Sequence, residues 1–338
     1  MTEERIAVVG AGSWGTAFAS IPAEIGVPTR LWARRQELAD AISSQHENPE
    51  YLPGIPLPEA LSATHDPEEC VAGATIVVMA IPSHAFRASF REVLPFLGFD
   101  VPVVSLVKGI EQDSLKRMSE VLQEECDLGP SRIAVLSGPN LAREIAHHQP
   151  AATTVACADP RQAERLQKAF MSSYFRVYTN PDVVGVEVAG AMKNVIAIAA
   201  GIADGMRYGD NAKASLITRG LAEMARFGVK AGGNALTFSG LSGMGDLVAT
   251  CMSTLSRNHH VGAELGKGRK LDDIVGGMNQ VAEGVKTARP VTTLAQRSGV
   301  DVPICEHVCR VLYEGVSVKD MVASLMGRTA KAELHGIQ

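Results

Sequence analysis

Ile6-Ala7-Val8-Val9-Gly10-Ala11-Gly12-Ser13-Trp14-Gly15 is the stretch on which the fold turns. Four aliphatic residues predict a strand buried on both faces, and the apolar run after Gly15 predicts a helix. Between them the glycines have separate tasks: Gly10 permits the tight turn, Gly12 lets the backbone approach a pyrophosphate, and Gly15 allows close packing of helix on strand. The phosphate then lies on the helix N-terminus. A GxGxxG in this setting reads as the start of a dinucleotide-binding βαβ series. Pro22 falls inside the expected helix and should kink it or end it early.

The residue about 20 positions past such a motif reads the adenosine ribose. Here, 19 and 20 residues beyond Gly15, stand Arg34 and Arg35 in place of an acid. Two guanidiniums suit a 2′-phosphate, so NADP(H) is the preferred cofactor, with NAD(H) possible.

Aliphatic runs recur at 29–32, 74–79, 101–107, 133–136, 153–156 and 175–178, separated by helical segments such as 35–44 and 114–125. That alternation predicts a doubly wound, mostly parallel sheet of the Rossmann-like α/β class. Ligands of such sheets sit at the carboxyl ends of the strands. The rule selects Pro82-Ser83-His84, Lys108-Gly109 and Ser137-Gly138-Pro139-Asn140; whether His84 has a chemical role stays open. Asn180-Pro181-Asp182 reads as a helix start, and no convincing strand follows it. The boundary is therefore set there, with a nucleotide-binding domain over 1–180 and an all-α domain over 181–338. One helix of the second domain, 212–227, is expected to stop at Gly228.

The run 183–203 is apolar enough to attract a membrane reading, but Glu187, Lys193 and Asn194 inside it would be costly in a bilayer. It is better read as a buried helix. Lys193 there is either a desolvated proton carrier or a lysine paired with Glu187. Asp246, after Gly240-Leu241-Ser242-Gly243-Met244-Gly245, is either a ligand-facing acid or a plain N-cap. Ser256-Arg257-Asn258 could grip a phosphate by a charge-assisted fork. Adjacent His259 and His260 face different ways on a helix, and Cys305, His307 and Cys309 read as core; no metal is expected.

Lys and Arg total 32 against 37 Asp and Glu, for a net charge of −5 in 338 residues. No global basic field collects nucleic acid, and with aromatics at 5% the base-stacking platforms of single-strand binders are missing. Six scattered cysteines without a CxxC read as reduced thiols. The N-terminus, Met1-Thr2-Glu3-Glu4-Arg5, lacks a basic and apolar leader, so a cytoplasmic protein is expected. Oligomeric state is not set by sequence; a homodimer is one arrangement it allows.

Ordered together, GAGSWGTA at 10–17, LWARR at 31–35, VKG at 107–109, SGPN at 137–140, GAMKNVIAI at 190–198, ITRGLAEM at 217–224, GMGDLVATC at 243–251 and SRN at 256–258 resemble the bacterial-type NAD(P)-dependent sn-glycerol-3-phosphate dehydrogenase family. The resemblance implies reversible reduction of dihydroxyacetone phosphate to sn-glycerol 3-phosphate for glycerophospholipid synthesis. It implies Lys193 as proton donor and acceptor, Asp246 as its support, and Lys108 between nicotinamide and substrate. Gly138, Asn140, Ser256, Arg257 and Asn258 fall to the substrate. Ser13, Trp14, Arg34, Ala142, Arg257, Val281 and Glu283 fall to the cofactor. A related NADP-dependent keto-acid reductase and a non-catalytic NADP-binding sensor are the alternatives.

Overall fold

In the computed structural model, which describes residues 4–126, 128–278, 280–330 and 332–333, the aliphatic runs assemble into one eight-stranded sheet. Its strands are β1 (Ile6–Val9), β2 (Thr29–Trp32), β3 (Leu61–Thr64), β4 (Ile76–Met79), β5 (Val103–Ser105), β6 (Ile133–Ser137), β7 (Ala151–Cys157) and β8 (Phe175–Asn180). Their order is β3-β2-β1-β4-β5-β6-β7-β8, parallel throughout except for the antiparallel pair β6–β7. The first six strands follow the order of a doubly wound nucleotide-binding sheet, with the strand order switching between the parallel neighbours β1 and β4. Along β1, Ile6 and Val8 enter one core cluster and Ala7 and Val9 another. The same alternation in β4 explains why these strands read as unbroken apolar runs: both faces are covered. β3, Leu-Ser-Ala-Thr at the sheet edge, escaped the sequence reading because its exposed Ser62 interrupts the apolar pattern.

Helices depart from expectation in informative ways. The first, Ser13–Glu24, runs two residues past Pro22 before stopping. Asn180 is the last residue of β8 rather than a helix cap; its Oδ1 accepts from Asp182 N at 2.8 Å, and the next helix starts at Val183. The helix expected over 114–125 is only Met118–Cys126. Gly228 does not end its helix, which spans Asp210–Lys230; a Cβ at Gly228 would lie 1.9 Å from the Phe238 ring, so the glycine is there for packing.

Two units emerge, one of residues 1–107 with 118–183, the other of 108–117 with 184–338. Residues 108–117, which a single division at 180 would leave in the first half, thus belong to the helical unit. They fold into a short turn, bridged between Ile110 and Arg117. Arg117 ion-pairs at 2.6 Å with the buried Glu187, and Ile110 joins the helical core.

That core is built on the helix Val183–Gly205. By length and a mean hydropathy of 1.6 it could cross a membrane, yet 89% of its apolar window is buried inside the protein, which makes it a core helix. The helix Arg257–Gly266 packs on it at backbone contact. Added Cβ atoms at Gly201 and Gly262 would each lie 2.0 Å from a carbonyl of the opposing helix, and those at Gly205 and Gly266 at 2.2 and 2.5 Å. Glycines spaced four apart on both helices thus bring the Ser256–Asn258 segment close to the helix that carries Lys193.

Candidate active site

In the first unit the glycine turn has the shape the motif requires. Gly10 has φ +118°, and a Cβ there would press on Ala80 O at 2.8 Å; a Cβ on Gly15 would overlap Gly10 O at 1.9 Å. At Gly12 the same atom would meet nothing within 4 Å. Backbone is therefore bare at the one glycine expected to face a pyrophosphate. No side chain caps the helix Ser13–Glu24, which leaves its first backbone N–H groups suited to an anion. These residues fit a dinucleotide. Trp14 packs edge-on against Phe18 with ring centroids 5.7 Å apart.

Sequence reasoning missed the residue that holds this turn. Asn48 is fully buried; its Nδ2 donates to Ala11 O at 3.0 Å and Thr16 Oγ1 at 2.8 Å, while its Oδ1 accepts from Tyr51 N. Ser13 Oγ donates to Tyr51 O at 2.7 Å. An asparagine in a polar, proline-containing loop gave no signal by itself. The two arginines are not equivalent: Arg35 sits at the N-cap of the helix Gln36–Gln45 and ion-pairs with Glu50, while Arg34 lies exposed at the end of β2.

Gly138 lets β6 and β7 approach, since a Cβ there would lie 2.9 Å from Thr153 Cα. Asn140 Nδ2 donates to Thr153 Oγ1 at 3.0 Å, and its Oδ1 is buried without a partner, an acceptor left over for a bound molecule. Ala142 opens the short helix Ala142–Ala146. His84 lies exposed in a single turn of 3-10 helix.

In the helical unit, residues far apart in sequence meet around one carboxylate. Asp246 begins the helix Asp246–Met252 but caps nothing. Its Oδ2 accepts from Lys108 Nζ at 2.6 Å, and its Oδ1 lies 3.1 Å from Lys193 Nζ. Thr250, one turn on, accepts from Lys193 Nζ at 2.7 Å and donates to Asp246 Oδ1 at 3.1 Å. Lys193 therefore takes Asp246 as its partner, and Glu187, the alternative, belongs to Arg117. Thr250 was missed, although its spacing of four from an inward acid is the available clue.

Lys193 is only 6% exposed. Burial lowers its ammonium to about 8, with Lys108 acting the same way and Asp246 pulling back. For Asp246, burial favours the neutral acid, but the two lysines overcome it and hold the carboxyl below its usual range. A base near neutrality, already oriented by a carboxylate, is what proton exchange at pH 7–8 requires.

A hydrogen-bonded line continues from this cluster. Asn194 Nδ2 donates to Lys108 O, Asn258 Nδ2 to Asn194 Oδ1, and Gly284 N to Asn258 Oδ1, each at 2.8 Å. Asn258 thus has both ends of its amide engaged within the protein. Ser256 caps its helix by accepting from His259 N at 3.2 Å. Arg257, between them, is exposed and donates to Gln280 Oε1 at 3.0 Å. Val281 lies partly buried just beyond Gln280, and Glu283 starts the helix Glu283–Arg297. The hypothetical cysteine–histidine group is core: both nitrogens of His307 are engaged, by Pro303 O and Ser324 Oγ. No group of three metal-ligating side chains occurs among the described residues.

A glycine turn of nucleotide-binding shape in one unit and a buried lysine held by a carboxylate in the other are features that suit a pyridine-nucleotide dehydrogenase. The family profile described as NAD-dependent glycerol-3-phosphate dehydrogenase N-terminus matches residues 5–163, and that of the C-terminus matches 182–323. A glycerol-3-phosphate dehydrogenase, NAD(P)+, of Streptomyces avermitilis is 54% identical over 98% of this chain and 99% of its own. One from Corynebacterium aurimucosum is 52% identical over 97% and 99%. The crystal structure of glycerol-3-phosphate dehydrogenase from Coxiella burnetii superposes with a TM-score of 0.92 at 36% identity, covering 96% of this chain and 99% of that one. The chain belongs to the NAD-dependent glycerol-3-phosphate dehydrogenase family.

Proposed function

We propose that this chain interconverts dihydroxyacetone phosphate and sn-glycerol 3-phosphate with NADP(H) or NAD(H), using Lys193 as the acid and base. The observation that carries the roles is the sharing of one buried carboxylate, Asp246, between Lys193 and Lys108. When bound, the reduced nicotinamide supplies the hydride that the carbonyl carbon takes up. As the carbonyl oxygen gains negative charge, the Lys193 ammonium gives it a proton and is left neutral, to be recharged from solvent. In the oxidative direction neutral Lys193 accepts the alcohol proton. Asp246 and Thr250 fix the direction of Nζ, so no reorganisation is needed at the moment of transfer. Lys108 adds positive charge beside the developing oxyanion. Arg257, reached from solvent at the start of its helix, takes the phosphate, and that binding energy positions the carbonyl. Gly138 and Asn140 on the substrate side, and Ala142, Val281 and Glu283 on the cofactor side, complete the assignment.

Six cysteines with no disulfide among the described residues support a reducing, cytoplasmic setting, and the product supplies glycerophospholipid synthesis. A homodimer is the assembly to test, by light scattering on a sizing column. For the activity, absorbance at 340 nm should fall when NADPH and dihydroxyacetone phosphate are combined. Unphosphorylated dihydroxyacetone should react far more slowly. Equal rates with both would remove the phosphate grip, and NADPH binding without oxidation would leave a sensor.

A further inference from the structure

The end of β2 carries Arg34 and Arg35 where an acid would hold the 2′-hydroxyl of NAD, yet a carboxylate reaches this place from elsewhere in the sequence. Glu50 ion-pairs with Arg35 and lies between Asn48 and Tyr51, the two residues fastened to the glycine turn. Three bonds tie that loop down: Asn48 Nδ2 to Ala11 O, Asn48 Nδ2 to Thr16 Oγ1, and Ser13 Oγ to Tyr51 O. The backbone at Glu50 is therefore anchored, through its neighbours Asn48 and Tyr51, to the turn that would bind the dinucleotide.

We propose that Glu50 sets the cofactor preference: it supplies the carboxylate missing from β2, serving the 2′-hydroxyl of NAD(H) and opposing the 2′-phosphate of NADP(H). The inference rests on Arg34 and Arg35 facing the adenosine ribose. The Arg35–Glu50 pair is well exposed, at 54% and 39% of the two side chains. Exposed pairs contribute little, so a dianionic phosphate can draw Arg35 away from Glu50, while a bare ribose leaves the pair intact. Glu50 then acts as a counterweight that keeps a site with two arginines from committing to NADP(H) alone. Arg35 holds the Glu50 carboxyl below its usual range, so the counterweight is charged at neutral pH.

The test is the dissociation constant of NADPH and of NADH, measured by titration calorimetry on the full-length protein and on Glu50→Gln, Arg34→Gln and Arg35→Gln. Removing one like charge near a surface phosphate should tighten NADPH about three- to tenfold in Glu50→Gln, while NADH weakens about twofold. Both arginine variants should weaken NADPH about tenfold or more and NADH much less. If the arginines behave so and Glu50→Gln leaves the NADPH/NADH ratio within twofold, the role of Glu50 is overturned while the arginine reading stands. If neither arginine variant moves the ratio, the ribose lies elsewhere and both readings fall.

Discussion

The two units build their sites from different materials. In the nucleotide-binding unit the site is mostly backbone: a left-handed glycine, a second glycine with empty space above it, and an uncapped helix end, all within six consecutive residues. In the helical unit it is side-chain charge, gathered from positions 108, 193, 246 and 250 and buried. Backbone sites depend on shape, so added atoms should damage them and lost side chains should matter little. Charge sites depend on compensation, so removing one member changes what the others do.

The largest expected effect follows from that second rule. Lys193→Ala should lower kcat by about 10²–10⁴ with a much smaller change in NADPH affinity, read by steady-state kinetics alongside direct binding. Asp246→Asn should follow, with a loss of about 10²; two lysines would then face each other without a carboxylate, and the Lys193 ammonium should titrate lower still. A pH–rate profile showing the upper limb unmoved would separate Asp246 from Lys193.

Much of this contrast was already visible in the residues. Ile6 to Gly15 can be read locally because strand, turn and helix each depend on neighbours in sequence, and the Rossmann-like class followed. Lys193 stood out as a charge in an apolar run, but the run itself offered only Glu187, six residues away, as a partner; Asp246, 53 residues away, was indicated by the family resemblance alone. Packing assigns Asp246 to Lys193 and Glu187 to Arg117. Thr250 and Asn48 were illegible for the same reason, since a threonine in a helix and an asparagine in a loop are ordinary until the fold shows what they touch. Gly228 misled because a glycine that clears space for Phe238 looks like one that ends a helix.

The glycine turn offers the next test. Gly15→Ala should weaken NADPH about tenfold or more and lower Tm, because its Cβ would overlap Gly10 O. Gly12→Ala should leave Tm within about 2 °C, since its Cβ meets nothing, and yet weaken NADPH by about the same factor. Thermal melts with and without nucleotide would distinguish the two. The smallest effect belongs to Thr250→Val, which keeps both ionic partners of Asp246 and loses only the hydroxyl that bridges Lys193 and Asp246; kcat should fall about three- to tenfold.

In the proposed role, burial has tuned Lys193 to exchange a proton near pH 8. That tuning is tested most directly by kcat/KM against pH in both directions, which reads the lysine before substrate binds. Reduction needs the ammonium and should fall as pH rises through about 8; oxidation needs the neutral amine and should fall as pH drops through about 8. The two limbs should share one midpoint and both should vanish from the residual activity of Lys193→Ala. Profiles flat across this range in both directions, or unchanged limbs in that variant, would contradict the assignment.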